Sequence, residues 1–141
     1  AVDPWFLASA CPEETPLIQA SRKVNNYKMK WVFEKIINTL KSIKKELGRK
    51  PIVGCYGITF KPDVDDLRGS PAINIIKKLM DEDIEVLINE PNLKEHSTLK
   101  LYSIDEIIEK CDLNVFLVKH KEYKYLNLSN LKILDFCGVE N

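Results

Sequence analysis

Apolar residues recur along positions 26–47 with the period of an α-helix. The stripe consists of residues spaced by 4, 3, 4, 3 and 4 positions, namely Met29, Phe33, Ile36, Leu40, Ile43 and Leu47. It predicts an amphipathic helix that begins near Asn25-Asn26 and ends at Gly48, after an earlier helical segment that starts at Thr15-Pro16. Since residues 1–50 are too few for a core of their own, the stripe is expected to be covered by the following domain, by a second copy of the chain or by residues that this chain lacks.

The pattern changes at residue 52, where short apolar runs begin to alternate with helical segments. The runs at 52–57, 84–88, 113–118 and 131–136 predict strands, with helices starting after Ser70-Pro71 and at a capping box, Ser103 to Glu106. Continuously apolar strands that alternate with helices indicate a parallel sheet covered on both faces. We therefore predict an α/β fold with a Rossmann-like domain over residues 51–141, preceded by α-helices over residues 1–50.

Composition and charge narrow the class of protein. The 141 residues are 45% apolar, and 21 Lys and Arg balance 21 Asp and Glu, so a packed core is expected and nucleic acid or a membrane is not an expected partner. Residues 1–50 carry ten basic and five acidic residues; this bias either helps two modules dock or is a solvated helix face. The four cysteines lack metal-ligand or redox spacing, which favours a reducing compartment and no metal site. Together with the lack of a signal peptide and of an apolar stretch of about 20 residues, this predicts a cytoplasmic location.

The connection between the first strand and its helix, residues 57–70, is the candidate binding loop. It lacks the G-x-G-x-x-G turn of a dinucleotide site and carries Lys61 and Arg68, followed by a helix amino terminus. An ammonium, a guanidinium and a helix amino terminus all suit phosphate groups. Three aspartates in the same loop leave surface ion pairs as the alternative interpretation.

The sequence of this loop and of the chain's first residues resembles one family. Residues 57–72, GITFKPDVDDLRGSPA, match the G-x-x-F-K-x-x-x-x-D-x-R-x-S-P-A loop of the UDP-glucose/GDP-mannose dehydrogenases. Residues 1–7, AVDPWFL, resemble the segment just after the catalytic cysteine in the branch that oxidises UDP-N-acetyl-D-mannosamine. The resemblance implies a fragment: the end of a central helical dimerisation domain, then a carboxyl-terminal UDP-binding domain, with the cysteine upstream of Ala1.

The family oxidises a sugar C6 alcohol to a carboxylate with NAD, through a cysteine thiohemiacetal and a thioester. By resemblance, Asp3 assists the water chemistry, Phe60 and Lys61 contact the nucleotide diphosphate of a UDP-sugar, and Arg68 reaches NAD bound mainly by a domain that this chain lacks. The acidic residues Asp65 and Asp66 are expected to order the loop by pairing with the basic ones. The helical segment is expected to form a homodimer.

Several alternatives accompany this prediction. The sugar could instead be UDP-glucose or UDP-N-acetylglucosamine, and the isolated chain could be a catalytically inactive UDP-binding or dimerisation module. Glu90 is interpreted as a turn residue before Pro91 rather than a ribose ligand, and His120 as incidental. The family often has a basic residue in Asp-x-Arg-Gly or Asp-x-Lys-Gly after its last strand, whereas this chain has Cys137 there.

Overall fold

The computed structural model describes residues 3–139. The chain forms two compact units, Ala1–Val32 and Phe33–Asn141. In chain order the helices and strands are α1 (Asp3–Ala10), α2 (Pro16–Leu47), β1 (Ile52–Tyr56), α3 (Pro71–Asp81), β2 (Glu85–Asn89), α4 (Ile104–Lys110), β3 (Leu113–Phe116) and β4 (Ile133–Asp135), with 3₁₀ turns at Pro12–Glu14 and Lys121–Tyr123.

The helical part differs from the prediction in two ways. α2 is one continuous helix of 32 residues, so the predicted start of a second helix near Asn25-Asn26 is wrong. No proline or glycine occurs between residues 17 and 47, and nothing therefore interrupts the backbone hydrogen bonds of α2. The sequence pattern does not predict α1, because this helix has only eight residues and its large apolar side chains form no buried stripe.

The middle of the α2 stripe is buried within the unit Phe33–Asn141. Ile36, Leu40 and Ile43 are 0%, 5% and 3% exposed. The connector after α2 is also tied down, since Arg49 forms a two-pronged ion pair with Asp112 at 2.7 and 2.8 Å. The expectation that a second chain covers this stripe is therefore wrong for its central part, which the chain covers itself.

The sheet confirms the predicted Rossmann-like α/β fold. Its four strands are parallel in the order β2-β1-β3-β4, with Cys55 of β1 opposite Ile88 of β2 and Val115 of β3. Stacked rings of Tyr56 and Phe116, 4.4 Å apart, lie at the centre of the core. The predicted capping box also forms, with the side chain of Ser103 accepting a hydrogen bond from the backbone of Glu106.

The strand order creates a switch point between β1 and β3. From β1 the chain passes through α3 to β2 on one side, and from β2 it passes through α4 to β3 on the other side of β1. The segments that follow β1 and β3 therefore meet at the carboxyl edge of the sheet, which is where open α/β sheets bind ligands. Among residues 3–139 no helix has the length and apolar character needed to cross a bilayer.

Candidate functional site

The loop after β1 is closed on itself and presents Lys61 to solvent. The backbone N–H of Phe60 donates to the carbonyl of Asp66 at 2.8 Å, and the hydroxyl of buried Thr59 donates to the carbonyl of Lys61 at 2.9 Å. The Lys61 ammonium lies 5.8 Å from the centre of the partly buried Phe60 ring. Phe60 and Lys61 thus stand side by side at the switch point.

Arg68 lies further along the same loop and is bound by Asp66. Its guanidinium donates to both carboxylate oxygens of Asp66, at 3.0 and 2.8 Å, and its side chain remains 91% exposed. The hydrogen bonds from Arg68 lower the pKa of Asp66 to about 2. The expected pairing of Asp66 with Arg68 is confirmed, whereas Lys61 has no carboxylate within 4.0 Å among residues 3–139.

Glu90, which follows β2, is a fully buried carboxylate with donors on both oxygens. One oxygen accepts from the backbone N–H groups of Ile58 and Thr59 at 2.8 and 3.2 Å and faces Nε2 of His120 at 3.0 Å. The other accepts from the backbone and side chain of Asn92 at 3.0 and 3.3 Å. Burial alone would raise the pKa of Glu90, but the hydrogen bonds from His120, Ile58 and Asn92 outweigh it and lower that pKa.

His120, four residues after β3, is fully buried against the same loop. Its Nδ1 receives the backbone N–H of Asp63 at 3.0 Å and the side-chain amide of Asn92 at 2.9 Å. A backbone N–H can only donate, so Nδ1 is the acceptor and the ring is neutral, with its proton on Nε2 facing Glu90. The interpretation of His120 as incidental is wrong, and the turn role of Glu90 covers only its contact with Asn92.

One group of potential metal ligands occurs among residues 3–139, formed by Asp63, His120 and Glu122, whose ligand atoms lie within 4.8 Å of one another. Both ring nitrogens of His120 already have partners in the loop and in Glu90. A metal ion bound at Nδ1 of His120 would displace the hydrogen bond that this nitrogen accepts from the backbone N–H of Asp63. Within this group, the contact between Asp63 and His120 therefore holds the loop.

The remaining predicted positions lie elsewhere. Asp3 is exposed at the first residue of α1, in the unit Ala1–Val32, while Ala1 and Val2 lie outside the described residues. After β4, the backbone N–H groups of Cys137 and Gly138 donate to the Asp135 carboxylate at 2.9 and 2.8 Å. The ammonium of Lys119, which follows β3, donates to the carbonyl of Gly138. A basic side chain from another segment therefore lies beside Cys137.

Comparison with known proteins agrees with this geometry. Residues 54–135, from within β1 to the end of β4, match the UDP binding domain of the UDP-glucose/GDP-mannose dehydrogenase family. The chain belongs to that family. The match spans the candidate loop and both residues that hold it, Glu90 and His120, so the site described above lies wholly within the family's UDP-binding domain.

Individual relatives of the family show the same extent of similarity. A UDP-N-acetyl-D-mannosamine dehydrogenase of Campylobacter jejuni is 38% identical over 97% of this chain and 34% of its own length. An NDP-N-acetyl-D-galactosaminuronic acid dehydrogenase of Ralstonia solanacearum is 32% identical over 99% of this chain and 34% of its own. The solved UDP-N-acetyl-mannosamine dehydrogenase of S. aureus superimposes with a TM-score of 0.74 and 31% identity, covering 92% of this chain and 30% of that one. The chain spans about a third of the length of the curated relatives that it matches.

Proposed function

We propose that this chain is the substrate-binding, carboxyl-terminal part of an NAD-dependent UDP-N-acetyl-D-mannosamine 6-dehydrogenase. The observation that carries the proposal is the loop after β1, which presents Lys61 and Phe60 at the switch point of the sheet. The parent enzyme would convert the C6 alcohol of the sugar to a carboxylate. A cytoplasmic location stays a prediction from the sequence.

Lys61 is assigned to the diphosphate of the UDP-sugar. Its ammonium is a compact charge without a competing carboxylate, among residues 3–139, within 4.0 Å. The hydroxyl of Ser70 donates to the carbonyl of Thr59 at 3.3 Å and does not cap α3. The amino terminus of α3 thus adds backbone N–H groups that favour an anion at this edge of the sheet.

Arg68 is assigned to NAD rather than to the diphosphate. The connection from β1 to α3 does not form a dinucleotide site, because it has no glycine-rich turn and its first glycine, Gly57, lies against Val118. We propose that NAD, which accepts hydride from C6, is held mainly by another domain of the parent, with Arg68 reaching it. Asp3 is assigned to the subsequent water chemistry.

Substitution of the two basic residues tests this division. In the 141-residue chain, Lys61→Ala should weaken calorimetric UDP binding by about 1.5–3 kcal/mol, the range for a charge-assisted hydrogen bond. Arg68→Ala should leave UDP binding nearly unchanged, and so should the control Lys77→Ala, an exposed lysine on α3. Equal losses for Lys61→Ala and Arg68→Ala would show that one anion site uses both side chains. Absence of UDP binding by the unsubstituted chain would contradict the proposed function itself.

The choice of sugar rests on the relatives. The Campylobacter jejuni and S. aureus relatives are dehydrogenases of the N-acetyl-mannosamine sugar, while the one from Ralstonia solanacearum is a dehydrogenase of N-acetyl-galactosaminuronic type. A full-length protein that carries this chain should therefore oxidise UDP-N-acetyl-D-mannosamine faster than UDP-glucose or UDP-N-acetylglucosamine. A spectrophotometric assay of NADH formation with each of the three UDP-sugars measures these rates. Faster oxidation of UDP-glucose would refute the assignment of UDP-N-acetyl-D-mannosamine as the substrate.

A homodimer through the helical segment remains part of the proposal. The unit Ala1–Val32 exposes large apolar side chains along α1 and the first half of α2, namely Trp5, Phe6, Leu7, Leu17, Val24 and Tyr27. Surfaces of this kind mark protein contacts. Light scattering should show a dimer that Val24→Glu weakens, whereas the control Asn26→Glu, also exposed on α2, should not. A monomer at high concentration would contradict this interface.

A further inference from the structure

The segment that carries Lys61 is held at both ends by residues outside the loop. At the upstream end, the Glu90 carboxylate binds the backbone N–H groups of Ile58 and Thr59. At the downstream end, Nδ1 of His120 binds the backbone N–H of Asp63 at 3.0 Å. Lys61 lies midway between these two anchors.

The two anchors form one unit. Nε2 of His120 faces the Glu90 carboxylate at 3.0 Å, and both side chains are fully buried. The carboxylate accepts a hydrogen bond from the Nε2–H group of His120, which keeps the proton on Nε2 and leaves Nδ1 to accept from the backbone N–H of Asp63. Loss of either partner would therefore affect both ends of the segment.

We infer that Glu90 and His120 are positioning residues that hold the Phe60–Lys61 segment in the conformation that receives the diphosphate. This inference rests on the proposed function for the identity of the ligand. Neither side chain would touch UDP, since both lie beneath the backbone of the loop. Their effect is to keep the loop in its binding conformation before the ligand arrives, so affinity depends on the fraction of molecules that adopt it.

Three substitutions that remove different hydrogen bonds of the two anchors test this inference. Glutamine has one oxygen and one NH2 group where glutamate has two oxygens. In Glu90→Gln the NH2 group must therefore face hydrogen-bond donors, and the hydrogen bonds on that side of the residue are lost. In His120→Gln, the amide can still donate to Glu90 from the Nε2 position but offers no acceptor at the Nδ1 position. In His120→Asn, the shorter amide can place its oxygen at the Nδ1 position and accept from Asp63. The control is His96→Gln, because Nδ1 of His96 accepts backbone N–H groups in a different loop.

The experiment combines UDP calorimetry with amide hydrogen exchange on the full 141-residue chain. Glu90→Gln and His120→Gln should raise the Kd for UDP about tenfold, as expected when only a tenth of the molecules keep the binding conformation. His120→Asn should recover much of the affinity, and His96→Gln should match wild type. Amide protection should fall at Ile58, Thr59 and Asp63 while Val115 in β3 keeps its protection.

The outcomes separate this inference from the proposed function. Wild-type affinity for UDP in Glu90→Gln and His120→Gln would overturn the positioning role while leaving the site itself intact. Equal losses of UDP affinity in His120→Gln and His120→Asn would overturn the role of the Asp63 contact, because that is the result expected if His120 has only a general structural role. If wild type binds no UDP, the proposed function fails. Amide exchange at Ile58, Thr59 and Asp63 then still tests whether Glu90 and His120 hold the loop, and protection equal to wild type in Glu90→Gln and His120→Gln would refute that role.

Discussion

Gly57 directly follows β1 and is the first residue of the binding loop, and its replacement by alanine tests how tightly this junction is packed. Its φ of +83° is in the region that side chains disfavour. A Cβ there would lie 2.6 Å from Cβ of Val118 and 2.7 Å from its carbonyl oxygen. Because the second contact is with backbone, no side-chain rotation can relieve it.

The expected loss of stability is the sum of two effects. The positive φ destabilises an alanine by about 1–2 kcal/mol, and overpacking against a fixed neighbour adds about 1–3 kcal/mol. Gly69 is the matched control, because its φ is +69° and a Cβ added there would have no neighbour within 4 Å. Gly69→Ala should therefore show the first effect alone, about 1–2 kcal/mol.

Urea unfolding followed by circular dichroism measures both. With an m-value of about 2 kcal/mol/M, the midpoint should fall by roughly 1–2.5 M for Gly57→Ala and roughly 0.5–1 M for Gly69→Ala. Because Val118 lies two residues before His120, Gly57→Ala should also weaken UDP binding. Equal midpoints for the two variants would refute the reasoning, since the Val118 backbone would then move aside without loss.

The remaining predictions concern titratable groups. At pH 8 a thiol reagent should react rapidly with exposed Cys11 alone, because burial raises the pKa of the other three thiols. The pKa rises to about 12 for Cys111 and Cys137, and it is also raised for the fully buried Cys55. The chain alone should form no NADH from NAD and a UDP-sugar, because burial holds three of its four thiols protonated and the fourth, Cys11, is not part of the binding loop; a rate proportional to chain concentration would refute this. The stability difference between wild type and Glu90→Gln should be full above pH 4.5 and shrink as the pH falls through the lowered folded-state pKa of Glu90. A difference independent of pH between 7 and 3 in urea titrations would contradict that pKa.

The strands show where sequence patterns are informative and where they are not. Apolar runs located all four strands, yet β3 ends at Phe116 although Leu117 and Val118 continue the apolar run. Both of their backbone N–H groups converge on the carbonyl of Tyr56, so the chain bends there instead of continuing the ladder. Hydropathy reports burial, and Leu117 and Val118 remain partly or largely buried after they leave the sheet.

The α2 stripe illustrates a second limit. Its period predicts the helix and the face that must be covered, but a stripe contains no information about which surface covers it. The connector of residues 48–51 is short, and the ion pair of Arg49 with Asp112 fixes it against the start of β3. Burial of Ile36, Leu40 and Ile43 within their own unit follows from that geometry, which the apolar period alone does not contain.

The anchors of the binding loop were missed for a related reason, and the topology shows which signal could have found them. Glu90 is 32 residues from Ile58, and His120 is 57 residues from Asp63. Neither residue has a local pattern that separates a turn or an incidental histidine from a buried contact. Both, however, follow strands that flank β1 in the sheet, β2 and β3. Since the carboxyl ends of neighbouring parallel strands meet at one edge, polar residues just beyond both flanking strands must converge on the segment that leaves β1, and there they bind its backbone.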